Sequence, residues 1–230
     1  MSVDVFAPVS SRSTIQDGVY RQLRHALMTG RFDPGQTLTI SSLAESFSTS
    51  HMPVREALRR LAAEIALEIA ANGSARIPMV SRARLDDICR ARVAVEGLAT
   101  ELAAPNIAES DIDRLAVLMH EHEKSRDVYA MLGKNQEFHF TLYAASRSEV
   151  LIQLIETLWL RFGPYMRLLT RNVESILKSD EGQTFTVHHH EAVHALRKRN
   201  AAAVRRAIVA DIGATQAMLD DFVPAADALP

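Results

Sequence analysis

The C-terminal half of the chain carries histidine, carboxylate and amide side chains of the kinds that bind divalent metal ions. Asn135 and His139 are four residues apart, so a helix would place both on one face. Four more histidines lie between positions 188 and 194, and Asp211 follows on the next predicted helix. A lone histidine on an apolar helix is more often a packed or solvated residue than a ligand, and periodicity does not select among these histidines.

A second group of residues suits contact with nucleic acid. In the stretch from His51 to Leu61, apolar residues recur every three or four positions, while Arg55 and Arg59 lie four apart on another helix face. Pro53 suits the first turn of this helix, and Ser50 could cap it. Arginine can contact phosphate or guanine with two hydrogen bonds. In isolation the same pattern also describes a surface helix whose arginines keep it soluble. The neighbouring elements are needed to distinguish this possibility from a DNA-binding helix.

The segments before this helix predict a helix-turn-helix. A first helix ends at Gly30, and Pro34-Gly35 then marks a turn. A second helix spans Leu43–Phe47 and could be capped by Ser41 or Ser42. Two short helices joined by a polar turn, with basic residues at the start of the second, form this DNA-binding unit.

Two short apolar alternations after the arginine helix predict a β-hairpin, or wing. They are Ala66–Ile69 and Ala75–Pro78, and Asn72-Gly73 lies in the turn between them. Leu38–Ile40 is too short to be more than a brief extended link. A helix-turn-helix followed by a hairpin is a winged helix-turn-helix, which we assign to residues 14–80, after a tail of residues 1–13.

A recognition helix points its first residues at base edges, and those residues here are Ser50, His51, Met52 and Arg55. Arg59 and Arg76 are better suited to holding phosphates. Residues 1–80 carry eight arginines, no lysine and seven acidic residues, so their formal charge is only +1. One such unit would bind DNA weakly, whereas a dimer would read two half-sites.

No convincing strand is predicted from Ser81 onward. Apolar periodicity instead predicts six helices, over residues 85–104, 111–126, 127–145, 149–171, 185–199 and 201–222. A loop is expected at Ser175–Thr184 and a tail at residues 223–230. The short connections predict an antiparallel bundle of residues 81–222, which is large enough for its own core. The predicted fold class is therefore mainly α.

Composition excludes several classes of protein. With 47% hydrophobic and 23% charged residues, the chain is neither disordered nor fibrous. The single cysteine, Cys89, excludes an intramolecular disulfide and is expected to be a buried thiol in a reducing cytosol. The N-terminus lacks the features of a signal peptide, and no stretch is apolar enough to span a membrane, so a soluble cytoplasmic protein is expected.

Three motifs in the N-terminal unit carry a family resemblance, namely Gly30–Gly35, Leu43-Ala44 and Pro53–Leu61. With them, residues 14–80 resemble the DNA-binding domain of the GntR family of bacterial transcription regulators. The resemblance implies that Arg55 contacts operator DNA and that Gly73, with Asn72, enters the minor groove. Ser41 and His51 stand where members often carry arginine, so these two residues are expected to influence the operator sequence.

The predicted bundle carries motifs of its own, namely Arg92–Glu96, Asn135–His139 followed by Leu142-Tyr143, Leu158–Tyr165, and His189–Asn200. Residues 81–222 thereby resemble the FCD domain, the all-helical ligand-binding domain of the FadR-like GntR subgroup. The two resemblances together cover the chain from Thr14 to about Phe222.

The FCD resemblance implies a metal site. Many FCD domains bind a divalent metal, and the matching positions here are Asn135, His139, His189 and Asp211. Asn135 and Asp211 stand where aspartate and histidine are more common. One carboxylate, two imidazoles and an amide are compatible with Zn²⁺, Ni²⁺ or Mn²⁺. The alternative is a polar pocket in which these groups bind one another and water.

The same resemblance implies an anionic effector, because family members commonly sense small organic acids. The candidate anchors for its carboxylate are Arg92, Arg161, Tyr165 and Arg167. For each of the three arginines, an ordinary exposed side chain is an equally good interpretation, and for the tyrosine, an ordinary packed side chain is.

The sequence therefore predicts a homodimeric, metabolite-responsive regulator that binds operator DNA, with coupling through residues 76–85. One alternative is a metal-dependent helical-bundle hydrolase built on His139, His189 and Asp211. The sequence shows no separate general base or nucleophile at a spacing from these three residues that would indicate catalysis. A helical protein-interaction scaffold is the other alternative, and it would give Arg55 no role in binding.

Overall fold

The structure, a computed structural model, describes residues 13–70, 73–176 and 186–223. Asn72 and the predicted tails, apart from Ser13 and Val223, lie outside the described residues. The predicted loop at Ser175–Thr184 also lies outside them, except for its first two residues, which belong to a helix.

The N-terminal part contains helices α1 (Ser13–Met28), α2 (Ile40–Ser46) and α3 (His51–Ala63). Helix α1 stops at Gly30, which adopts a φ of +67°, while the Arg31 N–H donates to the Ala26 carbonyl over 3.0 Å. Helix α2 is capped by Thr39, because the Thr39 hydroxyl accepts a hydrogen bond from the Ser42 N–H at 3.2 Å. The prediction that Ser41 or Ser42 caps this helix was wrong.

The apolar face of α3 forms the core of the N-terminal part. Its buried residues are Val54, Ala57, Leu58 and Leu61, which are the four that the helical periodicity selects. They pack against α1, where Leu23 and Leu27 are buried. Ser50 occupies the N-cap position with extended backbone, although its side chain makes no capping hydrogen bond.

The wing is a three-stranded antiparallel sheet of β1 (Thr37–Leu38), β2 (Glu68–Ile69) and β3 (Ala75–Arg76), with β3 in the centre. Thr37 pairs with Arg76, which also pairs with Glu68. The predicted hairpin is therefore present as β2 and β3. The segment before α2, which was predicted to be only a brief extended link, contains a strand, because Thr37 and Leu38 pair with β3. Gly73 has a φ of +80°, which suits the turn of the wing.

The C-terminal part is the predicted bundle, and its helices among the described residues are α4 (Arg82–Ala103), α5 (Glu109–Lys124), α6 (Val128–Ala144), α7 (Glu149–Ile176), α8 (Val187–Arg197) and α9 (Ala201–Asp220). Ser81, Asp127 and Asn200 cap α4, α6 and α9 with their side chains. Helix α7 continues beyond the predicted end at Arg171. Cys89 is buried, and burial raises the pKa of its thiol to about 11.

The end of α1 and the residues just after it pack against α7 at two glycines, and this contact joins the N-terminal part to the bundle. A Cβ atom on Gly163 would overlap the Leu27 carbonyl, and one on Gly30 would lie 2.7 Å from the Arg167 nitrogen. The two backbones therefore meet without intervening side chains. No helix in the described ranges is long and apolar enough to cross a membrane.

Candidate metal site and DNA-binding face

Three side chains from α6, α8 and α9 converge inside the bundle. The His139 Nε2 atom lies 3.2 Å from His189 Nε2 and 3.4 Å from Asp211 Oδ2. His189 Nε2 lies 3.5 Å from Asp211 Oδ1. Both histidines are buried, and Asp211 is mostly buried. The three ligand-type groups thus form a nearly equilateral triangle, as the family resemblance implied for these positions.

The triangle has the size that a shared metal ion requires. Two nitrogen or oxygen ligands that lie about 2.1 Å from one ion, at a tetrahedral angle, are about 3.4 Å apart. Imidazole nitrogens and a carboxylate suit Zn²⁺, Ni²⁺ and Mn²⁺. The residues present therefore fit a divalent metal, and they form the one cluster of metal-ligand side chains found among the described residues.

The protonation states of His189 and Asp211 also suit a metal. Burial lowers the pKa of the His189 imidazole to about 3, so this ring is neutral at neutral pH. Burial is the largest single influence on Asp211 and opposes its ionisation, but the nearby His139, His189 and Arg92 together outweigh it, and the pKa of the carboxyl falls to about 2. Metal binding requires neutral imidazoles and ionised carboxylates.

Of the four histidines at positions 188 to 194, only His189 faces the interior of the bundle. His189 is buried and stacks on Phe138 at 4.3 Å between ring centroids. On the outside, His188 contacts Glu191 at 3.0 Å and His190 contacts Glu123 at 2.7 Å. His194 is exposed. In α6, four-residue spacing places Asn135, His139 and Tyr143 on one face.

A buried hydrogen-bond network lies behind His139. Arg92 donates to both oxygens of Glu96, at 2.6 and 3.2 Å. The Tyr143 hydroxyl donates to Glu96 Oε2 at 2.5 Å and lies 3.0 Å from His139 Nδ1. Burial, with a contribution from Glu96, raises the pKa of the Tyr143 phenol well above its usual value, so the phenol keeps its proton.

The triangle borders a cavity of about 60 Å³, which lies between α4, α5, α6, α7 and α9. Most of the wall is apolar and includes Met131, Leu132, Trp159, Phe162, Met166 and Leu169. The polar side chains that line it are Arg92, His122, Asn135, His139, Thr170, Asp211 and Thr215. Asn135 therefore lies on the same cavity as the three converging groups.

The sequence analysis did not select His122. This residue is buried, and its Nδ1 atom has no hydrogen-bond partner in the described part of the chain. Burial lowers the pKa of its imidazole to about 4. A buried histidine in α5 gives no spacing signal toward residues on other helices, so only the packing of the bundle reveals it.

Three of the four predicted effector anchors lie away from the cavity. The Tyr165 hydroxyl donates to the Ser81 carbonyl at 2.9 Å and accepts from the Ser81 N–H at 3.1 Å. Arg167 bonds to Asp33 instead, and Arg161 is not among the cavity-lining residues described. The residues of α7 that do line the cavity recur with helical spacing, at Trp159, Phe162, Met166 and Leu169, so positions 161 and 165 face elsewhere. Arg92 does line the cavity.

A groove in the N-terminal part gathers four of the predicted DNA-binding residues. It lies between the start of α2, the start of α3 and the wing, and it is lined by Thr39, Ile40, Ser41, His51, Arg55, Gly73 and Ser74. Arg55 is exposed and has no hydrogen bond or ion pair within the described ranges. Its guanidinium is therefore available to a ligand in this groove.

Four of the other DNA-binding candidates lie outside the groove. Ser50 and Met52 are exposed at the start of α3, with Met52 58% exposed. Arg59 pairs with Glu56 at 3.1 Å, and the Arg76 Nε atom donates to the Gly35 carbonyl at 3.4 Å. Asn72 falls outside the described residues.

The fold agrees with comparisons to known proteins. Residues 15–77 match the family model for bacterial regulatory proteins of the gntR family, and residues 87–214 match the model for the FCD domain. The chain therefore belongs to the GntR family and carries an FCD domain. It is a DNA-binding transcriptional regulator and not an enzyme, and the hydrolase alternative has no support among its relatives.

Two characterised relatives come from Escherichia coli strain K12. The HTH-type transcriptional regulator McbR is 34% identical over 154 residues, which cover 66% of this chain and 70% of McbR. The HTH-type transcriptional repressor GlaR is 30% identical over 185 residues, which cover 75% of this chain and 84% of GlaR. The solved structure of E. coli McbR/YncC has a TM-score of 0.85 at 28% identity and covers 90% of this chain and 98% of its own.

Proposed function

We propose that this regulator is a cytoplasmic homodimer that binds operator DNA and senses a small carboxylate metabolite through a divalent metal in the bundle. The observation that carries the proposal is the triangle of His139, His189 and Asp211 beside a cavity that also contains a buried arginine. The proposed division of labour places DNA binding in residues 14–80, and effector binding and dimerisation in residues 81–222.

His139, His189 and Asp211 would hold the metal, and Asn135, on the same cavity, would add an amide oxygen. When bound, the metal would supply a Lewis acid with open positions for a carboxylate. Arg92 would provide the second positive charge of the site. The alternative is a polar pocket without a metal, in which the same contacts of 3.2–3.5 Å are hydrogen bonds.

The cavity limits the effector to a small molecule. Its volume of about 60 Å³ has room for a few non-hydrogen atoms beside the metal. Trp159, Phe162 and Met166 form an apolar wall opposite the polar groups, so a carboxylate with a short apolar portion matches the lining.

Helix α7 offers a direct route from this cavity to the DNA-binding part. Met166 lines the cavity, and the next residue, Arg167, bonds to Asp33 at 2.8 Å and to the Tyr129 hydroxyl at 2.7 Å. Arg31 stacks over the Tyr129 ring at 3.5 Å. These contacts connect the bundle to the turn after α1, in addition to the predicted connection through residues 76–85.

The proposed response is a change in the relative placement of the two DNA-binding parts of the dimer. An effector causes such a change only if it binds one placement more tightly than the other, by a few kcal/mol. The adjacent positions of Met166 at the cavity and Arg167 at the turn after α1 support this proposal.

The test is selection of genomic DNA fragments by purified protein at moderate salt, with and without added Zn²⁺, Ni²⁺ or Mn²⁺. Recovery of a two-fold symmetric sequence is expected, and genes beside it would narrow the effector class. Arg55→Ala should abolish the enrichment while the dimer stays folded. Failure to enrich any sequence would contradict operator binding by this chain, and equal enrichment with Arg55→Ala would favour the interaction-scaffold alternative.

A further inference from the structure

The Tyr143 hydroxyl lies between a carboxylate and a candidate metal ligand. It is 2.5 Å from Glu96 Oε2 and 3.0 Å from His139 Nδ1. Two hydrogen bonds from Arg92 hold Glu96 as an ionised carboxylate, which can only accept. A phenol hydroxyl has a single proton to donate, and Tyr143 uses it in the hydrogen bond to the Glu96 carboxylate. The remaining contact of Tyr143 must therefore be one in which the phenol oxygen accepts from His139.

We infer that Glu96 and Tyr143 are positioning residues, which hold neutral His139 in the tautomer with its proton on Nδ1. The Nε2 lone pair is then presented to His189 Nε2, at 3.2 Å, and to Asp211 Oδ2, at 3.4 Å. The tautomer follows from the hydrogen bonds alone. Only the use of the lone pair as a metal ligand rests on the function proposed above.

Burial makes this arrangement specific. Glu96, Tyr143 and His139 are each at most 1% exposed, so water does not compete for their hydrogen bonds. Without the Tyr143 hydroxyl, the His139 proton could move to Nε2 and bind Asp211, which would occupy the ligand atom. A hydrogen-bond acceptor behind a histidine ligand fixes both its ring orientation and its tautomer, and loss of such an acceptor commonly costs 10- to 100-fold in metal affinity.

The first test is nuclear magnetic resonance of the full-length protein after metal removal by a chelator. Long-range ¹H–¹⁵N correlations distinguish a ring nitrogen that carries a proton from one that does not. The His139 signals are assigned by their absence in His139→Gln. In the wild-type protein, the neutral His139 ring should carry its proton on Nδ1. In Tyr143→Phe, the Nε2-protonated form should become populated.

The second test measures the affinity of the same proteins for Zn²⁺, Ni²⁺ and Mn²⁺ by calorimetry. Tyr143→Phe should weaken binding by about 10- to 100-fold. Tyr20→Phe is the matched control, because the partly buried Tyr20 hydroxyl also donates to a carboxylate, Glu64, at 2.6 Å, but in the DNA-binding part. That control should leave both the His139 tautomer and the metal affinity unchanged.

Two results would overturn the inference: an Nε2-protonated His139 in the wild-type protein, or a tautomer that Tyr143→Phe leaves unaltered. The wild-type spectrum decides the matter even if Tyr143→Phe does not fold. An Nδ1-protonated His139 in a protein that binds none of the three metals would support the positioning role and contradict the metal site proposed above.

Discussion

Arg167 in α7 donates a hydrogen bond through Nε to Asp33 Oδ1 at 2.8 Å, and this ion pair joins the helical bundle to the turn that follows α1. Residues 134 positions apart in the chain are thereby linked. The pair lies one residue beyond Met166 of the cavity wall. The ion pair therefore lies between the cavity and the DNA-binding part.

The ion pair makes a pH-dependent contribution to stability. The hydrogen bond from Arg167 lowers the pKa of the Asp33 carboxyl below its usual 3.8. Arg167→Met should therefore reduce the free energy of unfolding at pH 7 by at most about 1 kcal/mol, since Asp33 is 44% exposed and solvent screens the pair. The part of this loss that comes from Asp33 should be complete above pH 3.8 and should disappear as the pH falls through the lowered pKa, whereas the part that comes from the hydrogen bond to Tyr129 should not depend on pH in this range.

Denaturant unfolding at several pH values measures this effect, provided that the folded state persists at the lowest of them. Arg90→Met is the control, because the Arg90 and Asp87 side chains are 77% and 81% exposed and their pair should contribute almost nothing. An equal loss in both variants, or a loss that grows toward low pH, would count against the assigned role.

The contact between α1 and α7 should not tolerate a methyl group. Gly163→Ala would place a carbon against the Leu27 carbonyl, so we expect a loss of about 1–3 kcal/mol in the free energy of unfolding. Gly133→Ala in α6 meets no atom within 4 Å, and it should be neutral or stabilise by up to about 1 kcal/mol. Denaturant unfolding compares the two variants, and similar stabilities would show that the contact can relax.

Arg55 should contribute to operator binding more than other exposed arginines do. Loss of its guanidinium from the groove removes a contact worth about 1–3 kcal/mol per half-site, so Arg55→Ala should weaken specific binding by at least about tenfold. Arg90→Ala, on the exposed face of α4, should have no effect. Fluorescence anisotropy with the selected operator measures both, and parallel curves would remove Arg55 from the interface.

Metal binding should stabilise the folded protein through one particular histidine. With free metal at about 100 times its dissociation constant, the free energy of unfolding should rise by about 2.7 kcal/mol. His189→Gln should abolish the rise, whereas His188→Gln should retain it, because His188 lies outside the cluster and contacts Glu191. Thermal unfolding with and without Zn²⁺, Ni²⁺ or Mn²⁺ gives the answer. A rise that survives in His189→Gln would place the metal elsewhere.

The apolar patterns in the sequence were sufficient to predict the helices. Val54, Ala57, Leu58 and Leu61 recur with helical spacing and are the buried residues of α3. Helix ends were less predictable, because they depend on single caps such as Thr39, whose side chain bonds to Ser42. The strand at Thr37–Leu38 was missed because it exists only through pairing with β3, which is distant in the sequence.

The candidate metal site was less accessible from local patterns. The choice of His189 among four neighbouring histidines came from the family resemblance, since all four have similar surroundings in the sequence. His122 and the pairing of Arg167 with Asp33 depend on packing between distant helices, for which spacing gives no signal. The hydrogen bond of Tyr165 to Ser81 was not predicted, because the rotation of α7 about its axis, which turns this residue toward Ser81, is set by the whole bundle.

If the proposed metal and effector bind in the bundle, the charges there would set the order in which they bind. Arg92 contributes one positive charge, while Glu96 and Asp211 contribute two negative charges, so with neutral imidazoles the site has a net charge of −1 before anything binds. An anion entering at that stage would be repelled. A divalent cation changes the sum to +1, and a monocarboxylate then brings it to zero. In a protein with this arrangement, the effector would bind only after the metal has bound, so the regulator would respond only when both are present in the cell.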